Sequence, residues 1–400
     1  MANVKIHEPR SQGGQAQAEP QLKAFLSLGF RPLYLVGSAW ALISIFIWIY
    51  LPSMLTGPLA GPFWHAHEML WGFITTIAVA FLLTASATWT GHNPLWGWPL
   101  AVTTVLWLVA RVGFLIDHSN AFIVACLAES AFYAIVTIAL ARVILKGKST
   151  RNYGIPIMVA AFGVSNAVYL HAIKEGYYTE LARYFDIGLI CMAVVALLIA
   201  RRVIPFFAMR AVSGLKIPML TRSGQIQITA GVIAIAAAVL QLPYLMAIAL
   251  LVSGLIALYQ ISRWQPAAVL GKPILWILYL GYTVMAIGLL AAAAYMAGFK
   301  VAILARPAGY VHLIGMGGFC VLIIGMLTRT ALGHLGRPLQ LDRSMVISYW
   351  LMILAVILRI AALWPSSSTQ TLLHLAGAAW VLLFALYLWR FAPLLIRPRP

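Results

Sequence analysis

The densest run of side chains capable of chemistry in this sequence is Trp64-His65-Ala66-His67-Glu68-Met69. Imidazole, carboxylate and thioether groups set this close together can ligate a transition metal, orient a ligand or carry a proton. On an α-helix, residues two apart point about 200° apart, so His65 and His67 cannot readily serve one metal unless the helix start is unwound. Two centres, or one metal and one hydrogen-bonded partner, suit the spacing better. His65 shares a helical face with Glu68 and Met69, at the i+3 and i+4 positions. Glu68 then has three roles open to it. It can orient a ligating imidazole, carry protons, or cap the helix start as an anion.

A second run is Tyr310-Val311-His312-Leu313-Ile314-Gly315-Met316-Gly317-Gly318. Met316 lies one turn from His312, and three glycines follow the histidine closely. Glycine admits close approach, either of a flat group such as a porphyrin held by His312 or of a neighbouring helix. Charged residues form a further layer. Arg111, Glu129 and Arg359 fall inside apolar stretches, where charge is costly and marks function or pairing. Arg111 and Arg359 suit carboxylates such as haem propionates; a pair between Arg111 and Glu129 is the plainer alternative.

The elements that must position these groups are membrane-spanning helices. The 400 residues are 63% hydrophobic and 9% charged, against about 25% charged in soluble domains. A soluble core cannot hide that much apolar surface, so the chain reads as an all-α integral membrane protein. The hydrophobic pattern predicts a polytopic bundle of about twelve transmembrane helices, near 32–51, 63–86, 94–116, 121–145, 152–173, 181–204, 225–243, 245–262, 273–298, 308–330, 344–363 and 369–390. Only Gln241-Leu242-Pro243 separates the seventh and eighth, so a single kinked helix is the alternative there. The expected domains are an N-terminal tail over 1–30, largely disordered and without the apolar stretch of a signal peptide, one transmembrane domain over 31–395, and a short tail over 396–400.

Orientation follows from Lys and Arg in short loops. With both termini in the cytoplasm, only six of the 27 basic residues fall outside: Arg111, Lys174, Arg183, Lys300, Arg306 and Arg359. That bias absorbs the net charge of +18 into topology and removes nucleic acid as a partner. It also sorts the histidines. His65, His67, His171, His312 and His374 come to the outer ends of four helices, a coincidence of depth that predicts one shared metal site. Imidazole suits iron, copper and zinc alike. His118 falls in an outer loop, and His92 and His334 in inner loops. His334 lies roughly 33 Å along a straight helix from His312, too far to share its metal. The loops Thr90-Gly91-His92-Asn93-Pro94-Leu95 and Gly333-His334-Leu335-Gly336-Arg337-Pro338-Leu339 echo each other faintly and read as turns.

The three cysteines, Cys126, Cys191 and Cys320, all lie in apolar stretches. No CxxCH, HExxH, Walker A or GxGxxG pattern occurs, which argues against covalent haem, a zincin and a nucleotide-driven pump.

Several motifs together resemble one known family. They are Trp64-His65-Ala66-His67-Glu68-Met69-Leu70, Gly29-Phe30-Arg31-Pro32, Arg202-Val203-Ile204-Pro205-Phe206-Phe207 and Gly325-Met326-Leu327-Thr328-Arg329 with Leu332-Gly333-His334-Leu335-Gly336-Arg337-Pro338-Leu339. The chain is similar over roughly 29–395 to the NnrS family of polytopic bacterial inner-membrane proteins tied to nitric oxide and denitrification. Ala208 departs from the pattern, where a hydroxyl residue is usual. The resemblance implies haem, of b type, and copper, and a role in nitric oxide metabolism and nitrosative stress. If the chain is an enzyme, electrons come from quinol or a partner protein. Transport of a metal or metal-nitrosyl species, and haem-based sensing, are the alternative readings. His312 and one of His65 or His67 are the expected ligands, ahead of His171 and His374, with Glu68, Met69, Glu129 and Met316 as further candidates.

Overall fold

A computed structural model describes residues 19–299 and 301–400. Most of the expected N-terminal tail lies outside the described residues. The part that is described includes a short helical turn at Leu22–Phe25, tied down by Gln21 N–H donating to Ile396 O at 2.9 Å.

Among the described residues, all the elements are helical. Twelve apolar helices follow in chain order: α1 Phe30–Tyr50, α2 Gly61–Thr90, α3 Gly97–Gly113, α4 Ser119–Lys146, α5 Gly154–Glu175, α6 Leu181–Ala211, α7 Thr221–Val239, α8 Pro243–Arg263, α9 Pro273–Met296, α10 Pro307–His334, α11 Arg343–Ala361 and α12 Thr369–Leu395. Eleven are long and apolar enough to cross a membrane. The twelfth, α3, has 17 residues and spans about 25 Å at 1.5 Å per residue, a little short of a hydrocarbon core.

Punctuation in the sequence sets the boundaries. Proline opens α8 and α9 in their first turn, where its missing N–H costs nothing. Gly91, at φ +75°, closes α2 in the left-handed conformation that side chains avoid. The break between α7 and α8 is real: Gln241 adopts φ +57° and the two helices pack against each other. They are therefore two helices, not one kinked one.

Two helices are irregular. α2 winds as a π-helix over Glu68–Ile74, and α10 does so over Leu313–Cys320. In each, a histidine is the last α-helical residue before the π turn, His67 in α2 and His312 in α10, and each lies five residues after a proline, Pro62 or Pro307. π turns are rare and gather at functional sites.

The chain divides into two compact units. Unit 1 comprises the described residues up to Phe185, with Arg329–Leu339 and Phe384–Pro400. Within it α2 packs on α1 and α4, while α4 also packs on α3 and α5. The membrane-spanning window of α2 is 83% buried, the highest share of any span, which makes α2 the core helix of this unit. Unit 2 comprises Asp186–Thr328 and Gln340–Leu383. Its helices α7, α8 and α9 pack in succession, and α9 and α11 pack on the π turn of α10.

Candidate functional site: a buried ion network and a histidine turn

In unit 1, the π turn of α2 is the floor of a buried ion network. The Glu68 carboxylate takes three donors: His67 Nδ1 at 2.8 Å, Arg111 Nη1 at 2.6 Å and Trp40 Nε1 at 2.5 Å. Arg111 on α3 reaches across with its second terminal nitrogen to Glu129 on α4. His67 Nε2 closes the ring of contacts, 2.8 Å from Asn166 Oδ1 on α5 and 3.2 Å from Glu129 Oε2. His67, Glu68 and Glu129 are fully buried, and Arg111 and Asn166 are 1% exposed. The guanidinium also lies over the rings of Trp107 and Phe114, 5.5 and 5.4 Å from their centroids.

Such a cluster survives away from water because each charge has opposite charge and hydrogen-bond partners at hand. Both ring nitrogens of His67 are committed to protein oxygens. Room for the guanidinium comes from Gly72, inside the π turn: a Cβ there would collide with Arg111 and stand 2.6 Å from Glu68 Oε2. A second polar layer follows. The carbonyl of Trp71 receives the hydroxyls of Thr75, Thr76 and Tyr133 at 3.1 to 3.2 Å, and Trp107 Nε1 donates to Thr76 at 2.8 Å.

This arrangement corrects one reading of the local spacing. Glu68 meets His67, its immediate neighbour, a contact that the helical-face pairing of His65 with Glu68 did not anticipate. The α-helical face pattern ends where the π turn begins, at Glu68 itself. His65 turns instead toward α1 and stacks on Trp48, centroids 5.0 Å apart and planes 8° from parallel. The plainer alternative for Arg111, pairing with Glu129, is realised with Glu68 as an additional partner.

Unit 2 holds His312. Its Nδ1 lies 2.8 Å from the carbonyl oxygen of Ala308, one turn back. A carbonyl only accepts, so Nδ1 carries the proton and the lone pair sits on Nε2. The glycines after it separate by role. Gly317 and Gly318 are packing contacts: an added Cβ would stand 2.5 Å from Val284 Cγ1 and 2.7 Å from Met285 Cβ on α9. Gly315, one turn beyond His312, is buried, yet an added Cβ would meet nothing within 4 Å. Met316 beside it is half-buried.

His171 is exposed at the end of α5, its ring edge-on to Tyr177 at 6.5 Å. His374 is exposed in the second turn of α12, Arg359 is half-buried near the end of α11, and Met69 is half-buried in α2. Of the two histidines expected in inner loops, His92 is bound to Thr90 O at 2.8 Å, while His334 is the last residue of α10 and packs on Phe30 with ring centroids 5.5 Å apart. Among the described residues, no group of three or more His, Cys, Asp or Glu side chains is set to hold a metal ion. Asn166, Trp40 and Gly72 escaped sequence reasoning. Asn166 carried a signal, as an amide within an apolar stretch, while Trp40 and Gly72 are unremarkable residues whose role only the packing reveals.

No curated protein matches the chain. A family model described as NnrS protein matches residues 24–399, so that nearly the whole of this sequence, both units included, belongs to the NnrS family.

Proposed function

We propose that this chain is a haem protein of the membrane that binds or turns over nitric oxide, with His312 as the axial ligand. Family membership suggests involvement in the nitric oxide response. The observation that carries the finer reading is the setting of His312. Its Nδ1–H is anchored on Ala308 O, as metal-ligating histidines anchor their second nitrogen, and a buried opening stands one turn away at Gly315. The residues present therefore fit a flat, iron-centred group. Haem iron in an apolar pocket binds small diatomics, and nitric oxide reaches such a site through lipid.

Copper fits less well. His67 is committed on both nitrogens, and no ready donor set is assembled among the described residues. In this reading the network around Glu68 and Arg111 holds α2, α3, α4 and α5 together rather than ligating a metal.

Optical spectra of the purified protein, with and without nitric oxide, test the proposal. Protein from haem-replete cells shows a Soret band that nitric oxide shifts; absence of the band contradicts it. A second reading, transport of a metal or metal-nitrosyl species, draws on the recurrence of a π turn in α2 and α10, since interrupted helices line transporter sites. Uptake into proteoliposomes without stoichiometric haem would favour it.

A further inference from the structure

Three carboxylates are buried within the apolar helices among the described residues: Glu68, Glu129 and, near the start of α6, Asp186. Glu68 and Glu129 share Arg111 and His67, so a change of charge on either leaves a buried cation unbalanced. Asp186, in the second turn of α6, is different. It is 9% exposed, and among the described residues no Lys, Arg or His stands within ion-pair distance of it. Its partner is the hydroxyl of Tyr310, which lies 2.9 Å from Oδ1 and 3.0 Å from Oδ2. Tyr310 is itself 4% exposed and packs on Tyr295, ring centroids 5.3 Å apart.

We propose that Asp186 and Tyr310 form a proton-exchange site within the membrane-spanning part of unit 2. A carboxylate with no cation to release can gain or lose a proton without breaking an ion pair. A phenol hydroxyl is both donor and acceptor, so the contact survives either state. Tyr310 donates to the ionised carboxylate, and accepts from the acid once Asp186 is protonated. The step is proton uptake alone: one O–H bond forms on the carboxylate as an O–H bond of hydronium breaks to leave water, and no electron moves. The titratable groups that face the pair are Tyr310 and, behind it, Tyr295.

The chain has three aspartates, Asp117, Asp186 and Asp342, and only Asp186 is within an apolar helix. Infrared difference spectra of the full-length protein, labelled with carbon-13 aspartate and stepped through pH, read the site directly. The expected result is an isotope-sensitive carboxyl band that appears and disappears with pH, is lost in Asp186→Asn, and titrates at higher pH in Tyr310→Phe, where the anion has lost its donor. A set of bands unchanged by Tyr310→Phe overturns the proposal, as does a titrating band that persists in folded Asp186→Asn. Tyr310→Phe keeps the test decisive if Asp186→Asn does not fold. The readout does not involve haem, so failure here and failure of the haem proposal are separable.

Discussion

The guanidinium of Arg111 occupies the place where a side chain on Gly72 would stand. The relationship ties the π turn of α2 to α3: the turn brings a bare backbone up to the charge, and the charge fills the notch. Gly72→Ala is expected to destabilise the protein by about 3 kcal/mol or more, since it combines overpacking with displacement of a buried ion pair. Thermal unfolding in detergent measures this. An unchanged melting temperature would mean that Arg111 has another place to go.

Removing the cation should be worse than removing the whole network. Arg111→Met leaves Glu68 and Glu129 buried and facing one cationic partner fewer, at a cost of about 3 to 5 kcal/mol. The triple variant Arg111→Met, Glu68→Gln, Glu129→Gln removes the uncompensated charge and is expected to recover much of that loss. The melting temperatures of the two variants check it. A triple variant less stable than the single one would contradict the view that unbalanced charge is the cost.

The glycines of α10 should respond oppositely to one added methyl. Gly318→Ala drives a Cβ against Met285 and is expected to cost about 1 to 3 kcal/mol. Gly315→Ala enters open space and should change stability by no more than about 0.5 kcal/mol. A larger residue, as in Gly315→Leu, is expected to lower haem content while leaving the fold intact. Full haem occupancy in Gly315→Leu would place the group elsewhere.

Much of the architecture was legible because lipid imposes length. Helices must be long, apolar and bounded by Pro, Gly or charge, and α4, α9 and α12 announce themselves on that basis alone. The separation of α7 from α8 was expected, though Gln241-Leu242-Pro243 fits a kink as well as a break; the left-handed backbone at Gln241 decides it. The candidate site was half legible. His67, Glu68, Arg111 and Glu129 stood out as costly groups in apolar sequence, and the structure brings these four together. Their partner choice did not stand out, because face arithmetic assumes 3.6 residues per turn and α2 abandons that period at Glu68.

The orientation proposed from the basic residues, with both termini cytoplasmic, has its own check. Single cysteines at Lys148 and Tyr177, at the two ends of α5, should label from opposite sides of the membrane, Tyr177 from outside. The native cysteines Cys126, Cys191 and Cys320 lie within helices and are half-buried or buried, so background labelling is expected to be low. Labelling of Lys148→Cys by an impermeant reagent in intact cells would reverse the topology.

The central claim is that His312 holds haem, and haem content of histidine variants tests it most directly. His312→Ala, purified from haem-replete cells beside His92→Ala, His171→Ala and His334→Ala, should lose the Soret band while the other three keep it. Retention of full haem by His312→Ala, or loss of haem in His334→Ala alone, would contradict the account.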